Sequence, residues 1–384
     1  RYINGIKFNL DYPKSICSFR TLMNKKNYYS LNEKVYGYFL HQYSAKEKIP
    51  TGQIKYHKKN FQKYFVLKEN QFRGKEILDT GAGPGVHSVI LSLLKANVTA
   101  VDLSKKNMKR LNFFKKIYKL KKLKYIRHDL SKKIKGNKKY DLVSVHNWIQ
   151  HTPNPYLILK NLSQKINKGG KIYISCYQSN TFRTTIGKIA RSVLLPSDFD
   201  LMLKLGLSLF PLGFKKYKNM DHAQFGLMFD DFFTPYFHTI TYKDLISDFN
   251  SLGLKPITKV PKIKNIYLEH MPYVRMGFIK TNKEIISSYK PFYIDRPIKF
   301  KKNSNKIINE THKLINKLTK IKKTNRVEII LFCMSLFDLS CQFSNDRSFE
   351  KYKVLNSFLD RFISKNYTYF SNIINVKKNK NLYK

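Results

Sequence analysis

Residues 76–85 read Glu-Ile-Leu-Asp-Thr-Gly-Ala-Gly-Pro-Gly, and no other stretch narrows the fold as far. A short apolar run enters Asp79, glycines follow at 81, 83 and 85, and an apolar segment of helical character opens at His87. Only a residue without Cβ lets the backbone turn that sharply and come close to a ligand. The expected unit is therefore strand, glycine loop and helix, with a nucleotide-type cofactor at the carboxyl end of a parallel strand. The spacing is G-x-G-x-G and not the G-x-G-x-x-G of dinucleotide sites. Asp79, two residues ahead of the first glycine, would repel a pyrophosphate. It suits a ligand carrying an ammonium and a sulfonium.

Further acidic strand ends support this. The run Val98-Thr-Ala-Val-Asp102 predicts a second strand whose carboxylate lies 21 residues beyond Gly81, the interval at which an acidic side chain receives ribose hydroxyls. Two more strands are expected over 123–130, ending at Asp129 and Leu130, and over 140–147, ending at His146 and Asn147. A helix over 155–166 and a fifth strand over 169–176 follow. Strands near 257–260 and 273–279 complete the set, with a helix over 242–252 ahead of Gly253.

Taken together, Leu78-Asp79-x-Gly81-x-Gly83-x-Gly85, Val101-Asp102-Leu103-Ser104, His128-Asp129-Leu130, Gln150-His151-Thr-Pro153-Asn-Pro155 and Lys168-Gly169-Gly170-Lys-Ile-Tyr-Ile resemble the class I S-adenosylmethionine-dependent methyltransferases over about residues 74–180. The resemblance implies an α/β, Rossmann-like, seven-stranded and mostly parallel sheet with helices on both faces. It implies that Asp79, Thr80, Gly81, Ala82, Gly83 and Gly85 hold the methionine part of S-adenosylmethionine. Asp102 and Leu103 would meet the ribose, Asp129 and the Leu130 backbone the adenine, and Asn147 the methionine and transfer site. By the same resemblance, residues 1–70 form an N-terminal helical cap and 71–282 the methyltransferase domain, with a helical lid insertion over 178–240. Residues 283–384 read as a C-terminal α-helical extension with apolar faces suited to packing on the core or on a second subunit, a homodimer.

Charge bears on the partner. The 384 residues carry 73 Lys+Arg against 25 Asp+Glu, a formal net charge of +48. Such a basic protein keeps a nucleic acid or a peripheral membrane surface open as partner. The charge is spread evenly along the chain, which favours a proteome-wide bias over a dedicated nucleic-acid module. Cys17, Cys176, Cys333 and Cys341 show no C-x-x-C pair and no zinc-ligand spacing, so no metal is expected and the thiols read as reduced in a cytoplasmic protein. The apolar run 327–339 is too short to span a bilayer.

Methyl transfer from a sulfonium is an in-line displacement, and a base is needed only when the acceptor loses a proton during attack. His151, past the fourth strand, and His238 and Tyr236, in the segment Asp230-Asp231-Phe-Phe-Thr-Pro-Tyr-Phe-His, are the catalytic candidates. That segment is similar to one found in small-molecule methyltransferases. His87 reads as an ordinary first-turn residue. The expected acceptor is an oxygen, nitrogen or carbon of a small molecule such as a sugar, lipid or secondary-metabolite precursor. The alternative is an RNA methyltransferase. An Asn/Asp-Pro-Pro-aromatic motif is absent at residues 146–149, which read His-Asn-Trp-Ile, so an amino-directed base methylase is disfavoured.

Overall fold

The computed structural model describes residues 48–179, 199–203, 222–234, 236–261 and 273–283, together with shorter pieces including 2–3, 6–7, 34–35, 183–184, 285–286, 333–334 and 337. Two compact units divide the chain. One comprises residues 20–184 and 234–296, the other 1–19, 185–233 and 297–384.

The first unit is built on seven strands: β1 (Glu76–Thr80), β2 (Asn97–Asp102), β3 (Lys124–Arg127), β4 (Tyr140–His146), β5 (Ile166–Tyr177), β6 (Leu254–Pro256) and β7 (Tyr273–Lys280). Their order across the sheet is β3-β2-β1-β4-β5-β7-β6, parallel through β5 and antiparallel at β7 and β6. β1 and β4 are neighbours, and the connections from them lead to opposite halves of the sheet, so the crevice for a ligand lies beyond their carboxyl ends.

Side-chain alternation splits the core into two layers. Ile77, Val98, Ala100, Leu142 and Tyr173 face α1 (Thr51–Phe65), α2 (Val86–Leu93) and α3 (Lys105–Ile117), meeting Phe61, Phe65, Val89 and Phe114. Leu78, Val101, Val143, Val145, Ile172 and Ile174 face the other way, onto Ile158 and Leu162 of α4 (Pro155–Ser163) and Leu245 and Phe249 of α6 (Tyr242–Ser251). Helices thus cover both faces, as parallel strands require.

Helix α1 seats Phe61 and Phe65, four residues apart, on the sheet and ends at Val66 in a left-handed conformation (φ 50°), whose N–H donates to the Gln62 carbonyl. Its last turn comes so near β7 that a Cβ on Gly277 would lie 1.7 Å from the Tyr64 carbonyl oxygen. Helix α3 starts at Ser104, whose hydroxyl accepts from the Lys106 and Asn107 N–H groups, and α6 starts likewise at Thr241.

Two boundaries differ from expectation. The Lys168-Gly169-Gly170 turn lies inside β5 as an irregularity, with pairing to β4 resuming at Lys171 after Ile166. Gly169 takes φ 75°, which lets the strand continue through a bulge. The sixth strand begins at Leu254, because Gly253 (φ 70°) turns the chain directly out of α6 and Leu254 pairs with Lys280.

In the second unit, α5 (His222–Phe233) carries an aromatic run over Met228–Phe233. Phe229 rests against Phe199 and Phe225 at centroid distances of 5.0 and 5.1 Å, and Phe232 against Phe337 at 5.6 Å. Here these rings are core, together with Cys333 and Met334. Most of the predicted C-terminal helical extension over 283–384, and much of the predicted insertion, lie outside the described residues. Among the described residues, no helix is long and apolar enough to cross a membrane, and no group of His, Cys, Asp or Glu has the arrangement of a metal site.

Candidate functional site

The loop after β1 is shaped by what each glycine admits. A Cβ on Gly81 (φ 58°) would fall 2.2 Å from Cγ of Trp148, so the indole from the loop after β4 packs directly over this backbone. A Cβ on Gly83 (φ 53°) would meet nothing nearer than the Gly81 carbonyl at 4.0 Å. One glycine is demanded by the protein's own packing; the other leaves open space. Ala82 fixes the loop to β2 by donating its N–H to the Val101 carbonyl at 3.0 Å, and Gly85 begins α2 against Leu111.

Asp102, at the end of β2, turns its carboxylate toward this loop. It accepts from the N–H of Gly83 (2.8 Å), the N–H of Ser104 (2.8 Å) and the side-chain amide of Asn107 (3.0 Å). The Leu103 carbonyl is held by Arg127 Nε at 3.0 Å. Asp129 accepts from the Ser131 N–H and hydroxyl at 3.0 and 2.7 Å, beside buried Leu130.

Asp79 and Thr80 are enclosed rather than turned to solvent. The Asp79 carboxyl accepts from Ser88 Oγ on α2 at 2.5 Å, and burial pushes its pKa up to about 6 against that hydrogen bond. Thr80 donates to the Ser144 carbonyl at 2.7 Å. These two residues lock the glycine loop between α2 and β4.

Asn147 takes a left-handed conformation (φ 56°) at the end of β4, an unusual backbone state for a residue with a side chain. Its N–H donates to the Ser175 carbonyl and its side-chain oxygen accepts from the Ser175 hydroxyl, so β5 holds the turn in place. The Asn147 amide donates to Nε2 of His146 at 3.3 Å, which leaves Nδ1–H of His146 to donate to the Tyr173 hydroxyl at 3.0 Å.

His151, Tyr236 and His238 come together as a separate group. The Tyr236 carbonyl can only accept, so His151 Nδ1 carries the proton and donates to it at 3.1 Å, with Thr234 Oγ1 also 2.9 Å from that nitrogen. The Gln150 amide lies 3.2 Å from Nε2. His238 donates from Nε2 to the Thr152 carbonyl at 2.9 Å, and its own N–H donates to the Gln150 carbonyl. Both rings are buried and clasp the 149–152 turn to the 236–240 segment, and the Tyr236 ring lies parallel to His238.

A chain of imidazoles was missed from the sequence. His87 is not an ordinary first-turn residue: its Nε2 lies 3.2 Å from Nδ1 of His57 on α1, and its ring centroid is 4.0 Å from that of His146. Burial, and then the charge of Arg275, lower the His57 pKa to about 4. Burial first, with neighbouring imidazoles and Arg275, holds His87 and His146 well below the ordinary histidine range. The available signal was positional. His57, Phe61 and Phe65 recur every four residues, which places the imidazole on the buried stripe of α1.

Residues 53–210 match a family model described as a methyltransferase domain. A ubiquinone biosynthesis O-methyltransferase of Coxiella burnetii is 27% identical over 116 residues, covering 30% of this chain and 49% of that protein. A Vibrio cholerae protein of the same name is 27% identical over 120 residues, 30% of this chain and 48% of its own length. The chain thus spans about half the length of the curated relatives it matches. Among solved structures, the Burkholderia thailandensis 1,6-didemethyltoxoflavin-N1-methyltransferase, bound to 1,6-didemethyltoxoflavin and S-adenosylhomocysteine, aligns with a TM-score of 0.40 and 14% identity. That alignment covers 68% of this chain and 92% of that one.

Proposed function

We propose that the chain, whose residues 53–210 match a methyltransferase-domain model, is a class I S-adenosylmethionine-dependent enzyme that transfers a methyl group to a small molecule, at a hydroxyl oxygen. One observation carries this reading: the 81–85 loop, with open space at Gly83, stands at the topological switch point beside the anchored carboxylate of Asp102. The residues fit the cofactor. Gly83 leaves room for a ligand to approach the backbone, and Asp102, held by three donors, offers a preorganised acceptor for ribose hydroxyls. Asp129 and Leu130 take the adenine end, and Asn147 the methionine end.

When bound, S-adenosylmethionine supplies an electrophilic methyl on a sulfonium. The chain's work is to hold the acceptor in line with that methyl and to exclude water. Trp148, packed over Gly81, shields one side of the crevice. His151, His238 and Tyr236 shape the acceptor side by fixing the 149–152 turn. The two O-methyltransferase relatives support oxygen as the acceptor atom. The RNA reading rests on net charge alone and is not adopted.

Calorimetric titration with S-adenosylhomocysteine tests the proposal. Asp102→Ala and Gly83→Val should each weaken binding at least about tenfold, roughly 1.4 kcal/mol. Unchanged affinity in both variants would defeat the assignment.

A further inference from the structure

The imidazole chain leads along one row of the sheet to an unusual cation. His146 on β4 stands opposite Ser175 on β5, and Ser175 opposite Arg275 on β7. The guanidinium of Arg275 is partly buried. Nη1 donates to the Tyr56 hydroxyl at 3.0 Å, and the group lies 5.2 Å from the centroid of the Tyr273 ring. Nε is buried and, among the described residues, has no hydrogen-bond partner.

No carboxylate among the described residues pairs with Arg275; the ion pairs there are Lys58–Glu69 and Lys138–Glu76, both on the surface. The groups facing it are Tyr56 and His57 from α1, His87 from α2, His146 from β4, Tyr173 from β5 and Tyr273 from β7. None of them is a carboxylate, and burial keeps the three histidines neutral at neutral pH. Enclosing a cation with no counter-ion costs several kcal/mol unless something restores the balance. A guanidinium presents a planar fork that matches a carboxylate.

We propose that Arg275, with Tyr56 and the three imidazoles beside it, is the binding site for a carboxylate on the methyl acceptor. Arg275 stands two strand spacings, about 10 Å, from β4, on the side of β4 away from β1 and Asp102. A carboxylate anchored there leaves the rest of a small organic acid to reach toward Asn147 and the crevice. The rings of Tyr56 and Tyr273 supply flat apolar walls, and Tyr56, 43% exposed, marks where the cluster opens to solvent. The acceptor class is therefore a small, flat carboxylic acid. Naming it the acceptor rests on the methyl-transfer reading; the carboxylate site does not.

The test uses benzoate and its neutral isostere benzamide, titrated calorimetrically into protein saturated with S-adenosylhomocysteine at fixed ionic strength. Benzoate should bind wild type at least about tenfold more tightly than benzamide, and Arg275→Gln should abolish that preference. Tyr56→Phe, at an exposed position that leaves the core intact, should weaken benzoate severalfold and carries the test should Arg275→Gln not fold. Equal benzoate affinity in wild type and both variants overturns the site. If Arg275→Gln instead loses affinity for S-adenosylhomocysteine, the carboxylate belongs to the cofactor's amino-acid tail and the acceptor assignment falls. Benzoate binding to a protein that ignores S-adenosylhomocysteine supports the site while removing the methyl-transfer reading.

Discussion

Gly81 and Gly83 are two residues apart and share a left-handed backbone, yet alanine should have different consequences at each. In Gly83→Ala the new methyl enters open space, so the cost to folding is the left-handed strain alone, roughly 1–2 kcal/mol. In Gly81→Ala the same strain applies, and the methyl also lands 2.2 Å from the indole of Trp148. Ordinary carbon contacts are about 3.5–4.0 Å, so the ring must retreat by about 1.5 Å. Overpacking of this kind costs roughly 1–3 kcal/mol, which brings the total to roughly 2–5 kcal/mol. Urea denaturation followed by circular dichroism measures both costs. Trp148 is the sole tryptophan, so its fluorescence in the native state reports the displacement directly. Trp148→Ala closes a double-mutant cycle with Gly81→Ala, and a coupling of at least about 1 kcal/mol is expected because the methyl has room once the ring is gone. The same cycle with Gly83→Ala should be additive. Equal costs for the two alanines, or additivity in both cycles, would refute the packing argument. For ligand binding the order reverses: relative to its small folding cost, Gly83→Ala should lose more affinity for S-adenosylhomocysteine.

Three further outcomes follow from the buried polar groups and one close approach. Asp79 has a folded pKa of about 6, raised from 3.8, so its contribution favours folding below pH 4 and is lost as pH rises through 6. Asp79→Asn should therefore raise stability at pH 8 by up to about 3 kcal/mol relative to wild type, with the gain vanishing near pH 4 in denaturant titrations. His57 titrates near 4 instead of 6.5, so the stability tied to its neutral form is complete above pH 6.5 and falls away toward pH 4. His57→Phe should flatten that acid decline by about 3 kcal/mol, read as the change in urea midpoint between pH 7 and pH 4. Gly277→Ala would drive a methyl to 1.7 Å from a backbone oxygen of α1, which cannot rotate aside. A loss of more than about 3 kcal/mol in thermal or urea unfolding is expected there.

Gly85 to α2 and Val98 to Asp102 were legible in the chain because their signals are local. Glycine spacing sets a backbone path within five residues, and an apolar run ending in a carboxylate sets where a buried strand meets solvent. The seven-stranded, mostly parallel sheet was what the resemblance implied, and the order of its strands came from the structure alone. The edge was less legible: β6 begins at Leu254 rather than near Ile257, since its register depends on Lys280, 26 residues away.

Side-chain roles at the site were a different matter. The chain offered His151 and His238 as candidate bases, but their hydrogen-bond partners, the carbonyls of Tyr236 and Thr152, are more than 80 residues distant in sequence. His57, His87, His146 and Arg275 come from two helices and two strands, and no spacing in the chain announces that they meet. Local sequence determined the loop and the strand ends, because backbone geometry and hydrophobic periodicity act over a few residues. Only the tertiary structure decided which imidazoles are clasps, which form a neutral chain, and that a guanidinium lies among them with no counter-ion among the described residues. Burial, hydrogen bonding and charge pairing depend on the neighbours that folding brings into contact.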